Sequence, residues 1–232
     1  MSLYRRIRWW LPGPSPQVAS ERLWRRRIDR MHRENTGLSP MRVSLRLAEL
    51  MDVLPAKIHA IEPFGMCGLR KTRDYAGLCE TLDLFEIEPS FAAEARRAVP
   101  EARVHERDSI KAIREGDLPR DDYTLAVIDN PTMCYGPYCE HLDLFPAIYD
   151  VMAPGALMLT NVQLDGWIPD DATEQRQRRR MFYGGAMDSG AAALAFYDDM
   201  ARSAGHDVRF SAIVPHPGEM MFVLQSLSHP SA

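Results

Sequence analysis

No stretch of this chain reaches the roughly 18 consecutive apolar residues that a membrane-spanning helix requires. The N-terminus also lacks the apolar core of a secretion signal, so the sequence points to the cytoplasm. Cysteine is scarce and badly spaced for metal: Cys67, Cys79, Cys134 and Cys139 form no CxxC pair, and a chain of 232 residues does not need disulfides to fold. Reduced thiols and no zinc site are the expectation. There is no internal repeat and no low-complexity tract. With 46% hydrophobic and 26% charged residues, the balance is that of an ordinary globular protein and one sizeable core is allowed.

Charge is unevenly distributed. The net charge is −4, yet the first 33 residues hold nine arginines against Glu21 and Asp29, which makes this head about +7 and the rest about −11. MSLYRRIRWW, at the start, mixes arginine with aromatics before the proline-rich LPGPSP. Such a head suits packing on the acidic body, packing on a second copy in a homodimer, or contact with an anionic membrane surface or nucleic acid. Apolar residues at helical spacing predict helices over 17–33 and 41–54, ahead of the main domain. The chain divides into a basic leader with N-terminal helices (1–54) and an α/β domain (55–232).

The chain is organised around Ala56 to Glu88. This stretch reads strand (AKIHAIE), glycine-bearing loop (PFGMCGLRKTR), short helix (DYAGLC) and strand (TLDLFEIE). In an open parallel sheet, ligands bind beyond the carboxyl ends of the strands, so the loop and Glu86 or Glu88 should face one crevice. A carboxylate there can accept both hydroxyls of a ribose. Next come a helix from Pro89, a short strand (ARVHE), Asp108, and the strongest strand of the chain, YTLAVID, which ends in Asp129-Asn130-Pro131. A helix (YCEHLDLFPAIYDVM), an APG turn, the strand ALMLTNV, an arginine-rich stretch and a helix over 191–203 follow. HDVRFSAIVP and EMMFVLQSL close the chain as an antiparallel hairpin. Alternation of helix and strand predicts a three-layer, Rossmann-like, seven-stranded sheet, mostly parallel, with right-handed crossovers.

The order, together with IEPFGMCG (Ile61 to Gly68), FEIEPSF (Phe85 to Phe91), RVHERDS (Arg103 to Ser109), YTLAVIDNP and DVMAPGALMLTN, resembles the class I S-adenosylmethionine-dependent methyltransferases over Ala56 to Leu227. That resemblance implies S-adenosyl-L-methionine as cofactor. Glu62 and the backbone at Gly65 and Gly68 would hold its amino-acid part, Glu86 its ribose and Asp108 its adenine, while Asp129 would face the transferred group. The glycine loop departs from the family, which spaces glycines at alternate positions where this chain has Phe64 and Met66.

Each residue has a plainer reading beside this one. Glu86 or Glu88 could cap the helix at Pro89, and Asp108 could cap the helix that follows it. Asp129 suits a general base, with His141 as a proton relay. Asn130 and Tyr135, after the fourth strand, and Arg179 and Arg180, in RQRRRMFYGG, are candidates for gripping a small, anionic acceptor, although an arginine-rich helix face is often merely solvated. A metal-dependent O-methyltransferase would show a second carboxylate where this chain has Thr160-Asn161. An adenine N-methyltransferase would show a proline-proline-aromatic run that Asn130-Pro131-Thr132 lacks, so no nucleic-acid partner is expected. The rivals to methyl transfer are aminopropyl transfer, as in the polyamine synthases, and a non-catalytic scaffold on the same fold.

Overall fold

The computed structural model describes residues 39–65, 71–130, 134–135, 137–139, 141–168, 172–216 and 220–228. The basic head, the helix expected over 17–33 and Gly68 lie outside these residues. Helix α1 (Pro40–Leu50) comes first, with Ser39 accepting a hydrogen bond from the Arg42 backbone N–H at its N-terminus. Strand β1 (His59–Glu62) follows, then β2 (Thr81–Phe85), α2 (Pro89–Ala98), β3 (Arg103–His105), α3 (Ser109–Glu115) and β4 (Tyr123–Ile128). A two-residue pair, β5 (Cys134–Tyr135) and β6 (Tyr138–Cys139), leads to β7 (Met152–Gln163). The chain ends in α4 (Thr173–Tyr183), α5 (Gly190–Ser203), β8 (Asp207–His216) and β9 (Met220–Ser228).

Seven strands form one sheet in the order β3-β2-β1-β4-β7-β9-β8. The first five are parallel, β9 runs against β7, and β8 and β9 form the expected antiparallel hairpin. Both faces are covered, so the central strands are buried along nearly their whole length rather than at alternate positions. Alternation shows instead in which face each side chain enters. Ile61, Ala126, Ile128 and Met158 join one core with α3 and α5, while Ala60, Leu125, Val127, Leu157 and Leu159 join the other. Helix α1 supplies Met41, Val43, Leu45, Leu47 and Ala48 to that second core. It therefore packs on the sheet as part of the same body.

Three local expectations need correction. The helix expected over YCEHLDLFPAIYDVM is absent: Tyr138–Cys139 is extended, and Leu142–Leu144 and Ala147–Val151 are 3₁₀ turns. Pro146 interrupts the i→i−4 ladder and drives Phe145 extended. DYAGLC likewise forms 3₁₀ turns, Thr72–Asp74 and Ala76–Leu78. The APG segment is no turn between elements but an irregularity inside β7, where the pairing jumps from Tyr123 with Met152 to Leu125 with Leu157. Gly155, at φ 77°, supplies the backbone conformation that jump needs.

Candidate active site

The strand order reverses between β1 and β4: the chain runs outward to β2 and β3 on one side and to β7 on the other. Loops leaving adjacent strands in opposite directions open a crevice at their carboxyl ends. A cavity of about 380 Å³ lies there, bounded by Pro63, Phe64 and the ends of β2, β3 and β4. Its wall is mainly apolar, from Phe64, Phe85, Ile87, Phe91 and Ile110. Glu86, Asp108, Asp129 and Asn130 supply polar groups.

The half next to β2 and β3 is open. Glu86 directly follows β2 and lines the cavity; its Oε1 accepts the Glu88 backbone N–H at 2.9 Å. Glu88 stands at the N-cap of α2; its side chain caps no backbone N–H of that helix but accepts the Ser90 hydroxyl at 3.1 Å. Asp108 is the N-cap of α3 and also lines the cavity. Its Oδ1 caps α3 by accepting the Lys111 backbone N–H at 3.0 Å, and its Oδ2 accepts the Tyr138 hydroxyl at 2.8 Å on the cavity wall. Phe85 is held in place between His105, stacked at 4.7 Å, and the Arg107 guanidinium at 5.4 Å.

The half next to β1 and β4 is closed by its own bonds. Glu62 is buried, accepting the Thr72 hydroxyl at 3.0 Å and a short hydrogen bond from Tyr75. Burial penalises its charge and pushes its pKa up to about 8. The same burial, with Glu62 beside it, pushes the Tyr75 hydroxyl up as well. Asp129 lies one residue past β4, and because Ile128 pairs with Thr160, Asn161 of β7 stands opposite it. Asn161 donates to Asp129 Oδ1 at 2.5 Å, and Lys71 Nζ donates to the same oxygen at 2.8 Å. Lys71 also sits 4.7 Å over the Phe222 ring of β9.

Gly65 is a glycine for a reason of packing. A Cβ there would lie 2.2 Å from Leu84 Cδ2 and 2.6 Å from Cγ, and its N–H donates to the Phe85 carbonyl at 2.9 Å. This bond ties the turn after β1 to the end of β2.

The remaining candidates are spread apart. His141 is buried, and desolvation holds its pKa down to about 3, so the ring is neutral. Its Nδ1 faces the Asn130 carbonyl at 3.4 Å, which assigns that nitrogen the proton, and Nε2 then accepts a short hydrogen bond from Tyr197. These contacts join His141 to the backbone beside Asp129 rather than to its carboxylate. Arg179 is also buried, paired with Asp165 at 3.1 Å and bonded to the Gln163 carbonyl. Arg180 instead lines a separate surface recess with Thr173, Arg176, Gln177 and Met181. Tyr135 pairs through its backbone with Tyr138.

Lys71, Asn161 and Tyr138 were not singled out from sequence. Asn161 was legible in outline, since it ends the strand next to the one bearing Asp129. Lys71 lay unremarked in the basic run of the loop. Among the described residues no cluster of three His, Cys, Asp or Glu side chains could hold a metal ion, and no helix is long and apolar enough to cross a membrane.

No protein-family model matches the sequence, and no curated protein matches it. Solved structures do match the fold. Trm1 of Pyrococcus horikoshii, in complex with S-adenosyl-L-methionine, superposes with a TM-score of 0.58 at 10% identity, over 82% of this chain and 54% of that one. The 1,6-didemethyltoxoflavin-N1-methyltransferase of Burkholderia thailandensis, with 1,6-didemethyltoxoflavin and S-adenosylhomocysteine bound, gives 0.50 at 11% identity, over 94% of this chain and 92% of that one. The fold is that of the class I S-adenosylmethionine-dependent methyltransferases, in agreement with the resemblance read from the sequence.

Proposed function

We propose that this chain is a methyltransferase that binds S-adenosyl-L-methionine in the cavity at the ends of β1 to β4 and methylates an oxygen or nitrogen of a small acceptor. The observation that carries this reading is the open half of the cavity. Two carboxylates at the ends of neighbouring strands, Glu86 and Asp108, border an apolar slot bounded by Phe85, Ile87, Phe91 and Ile110. A nucleoside fits that arrangement: the base takes the apolar walls, and its hydroxyl and amino donors meet carboxylate acceptors. The two structural matches named above hold this cofactor or its product, which supports the same occupant here.

When bound, the cofactor supplies an activated methyl group. The chain supplies alignment and proton removal. Asp129 stands on the cavity wall, fixed by Asn161, and accepts the proton of the acceptor's O–H or N–H as the new bond forms. Asn130, held through its carbonyl by His141, lines the wall beside it. His141 is then a positioning residue, because its buried ring is bonded to the Asn130 carbonyl and the Tyr197 hydroxyl rather than to the Asp129 carboxylate. In this reading Glu62 and the Gly65 turn shape the floor of the site rather than touch the cofactor. The acceptor is a small molecule, and an anionic one would use Arg180 and its neighbours at the outer recess. The basic head remains a candidate for membrane or homodimer contact.

Aminopropyl transfer keeps a claim on the same cavity, since Asp129 could grip a cationic amine. Calorimetric titration with S-adenosylmethionine, S-adenosylhomocysteine and decarboxylated S-adenosylmethionine separates the readings. Preference for the carboxylated forms supports methyl transfer, preference for the decarboxylated form supports aminopropyl transfer, and no binding by folded protein supports a scaffold.

A further inference from the structure

One charged pair at the cavity floor asks for a reason beyond stability. Lys71 and Asp129 pair at 2.8 Å with only 11% and 14% of their side chains exposed. Withdrawing two charges from water costs as much as their attraction returns, so such a pair is poor evidence of a stabilising device. Asp129 does not depend on it for its orientation, because Asn161 from β7 binds the same Oδ1 at 2.5 Å. The same Lys71 ammonium lies 4.7 Å over the Phe222 ring, a second contact for its charge that does not involve Asp129. The lysine can therefore change partner without disturbing the carboxylate.

The placement of the other charges says what that new partner is. Arg107, the cation on the β3 side of the cavity, is engaged by the Asp117 carboxylate at 2.6 Å and its backbone carbonyl at 2.7 Å. Lys71 reaches the β1 and β4 end of the site through Asp129, which lines the cavity. Glu62, beside it, is enclosed by Tyr75 and Thr72 and would repel an anion if ionised. With a nucleoside seated between Glu86 and Asp108, as the proposed function has it, the amino-acid end of the cofactor lies toward Lys71.

We propose that Lys71 exchanges Asp129 for the α-carboxylate of the cofactor, and so determines the preference for S-adenosylmethionine over its decarboxylated form. This inference rests on the cofactor reading above. The exchange replaces one ion pair by another of the same kind, so the net gain is moderate. It also leaves Asp129 held by Asn161 alone, with its charge available to the acceptor's proton. Cofactor binding then precedes productive acceptor binding.

The test is calorimetric titration of the full chain with S-adenosylmethionine, decarboxylated S-adenosylmethionine and 5′-methylthioadenosine, which carries the nucleoside end alone. Wild type is expected to favour the carboxylated form by about tenfold or more. Lys71→Met keeps an unbranched apolar side chain and removes the charge. It should weaken S-adenosylmethionine to within about twofold of the decarboxylated form and leave methylthioadenosine unchanged. Asp129→Asn removes the competing carboxylate and should tighten S-adenosylmethionine, whereas a purely structural pair would lose affinity when broken from either side.

Equal weakening of all three ligands by Lys71→Met, or a preference that survives the substitution, overturns the inference while methylthioadenosine binding upholds the cofactor site. Failure of wild type to bind any of the three overturns both.

Discussion

Glu62 and Glu86 follow the same logic in sequence, each an acidic residue at the carboxyl end of a parallel strand, yet they sit in opposite environments. Glu62 is 3% exposed and enclosed by hydroxyls from the segment after its own loop. Glu86 borders an open cavity. Adjacent strand ends thus differ: one carboxylate knits the floor together and the other borders the cavity where the proposed function seats its ligand. Position at a strand end brings a carboxylate to the crevice, but what the next loop packs against it decides which of these roles it takes.

The sharpest way to break this division is at its seam. Gly65→Ala forces a methyl group into Leu84, which is wholly buried, and pulls the turn from the Phe85 carbonyl. We expect a loss of about 1–3 kcal/mol in chemical denaturation. Cofactor affinity should fall with it, since both halves of the site move.

A crossed pair of substitutions then compares the carboxylates themselves. Glu62→Ala leaves the buried Tyr75 and Thr72 hydroxyls without their acceptor and should cost about 1–3 kcal/mol of stability. Glu86→Ala should change stability by no more than about 0.5 kcal/mol. It should nevertheless weaken S-adenosylhomocysteine by about tenfold or more, a loss of charge-assisted bonds worth roughly 1.4 kcal/mol. Equal effects of the two on stability would dissolve the contrast.

The pH dependence sharpens it further. Burial raises Glu62 from 4.5 to about 8, so across that window the folded chain keeps a proton that the unfolded chain has released. Stability contributed at this site therefore falls as pH rises from about 4.5 to about 8 and levels off above. His141, lowered from 6.5 to about 3, works in the opposite sense, gaining stability as pH rises through that range. Asp198, also raised by burial, acts with Glu62. The difference between wild type and Glu62→Gln isolates the glutamate: denaturation from pH 5 to 8 should favour the variant progressively as pH rises.

A modest effect on stability alone is expected from a second substitution on the open side. Tyr138→Phe removes one hydrogen bond to Asp108 but leaves the cap of α3 intact, so the cost to stability should be about 0.5–1.5 kcal/mol. Thermal denaturation checks it.

Most of the sheet was legible in the sequence because its strands are continuous apolar runs with punctuating loops, and the closing hairpin was legible from the short HPG link. Helices were harder where a proline or glycine sat within an apolar run. Pro146 and Gly77 turned expected helices into 3₁₀ segments, a local effect that apolar spacing does not register. At the site, Glu86, Asp108, Asp129 and Asn130 reach the cavity because strand ends put them there. Lys71 was hidden because its partner, Asp129, lies 58 residues further along the chain, a pairing that no local pattern registers. Arg179 and Arg180 show the limit from the other side: neighbours on one helix point to opposite environments, which a run of like residues cannot distinguish.

The most direct measurement is calorimetric titration of the folded protein and its Glu86→Ala variant with S-adenosylhomocysteine. Binding in the micromolar range, weakened about tenfold or more by the variant at unchanged melting temperature, is the predicted result. Absence of binding by the folded wild type, or affinity indifferent to Glu86, would contradict the assignment of this cavity.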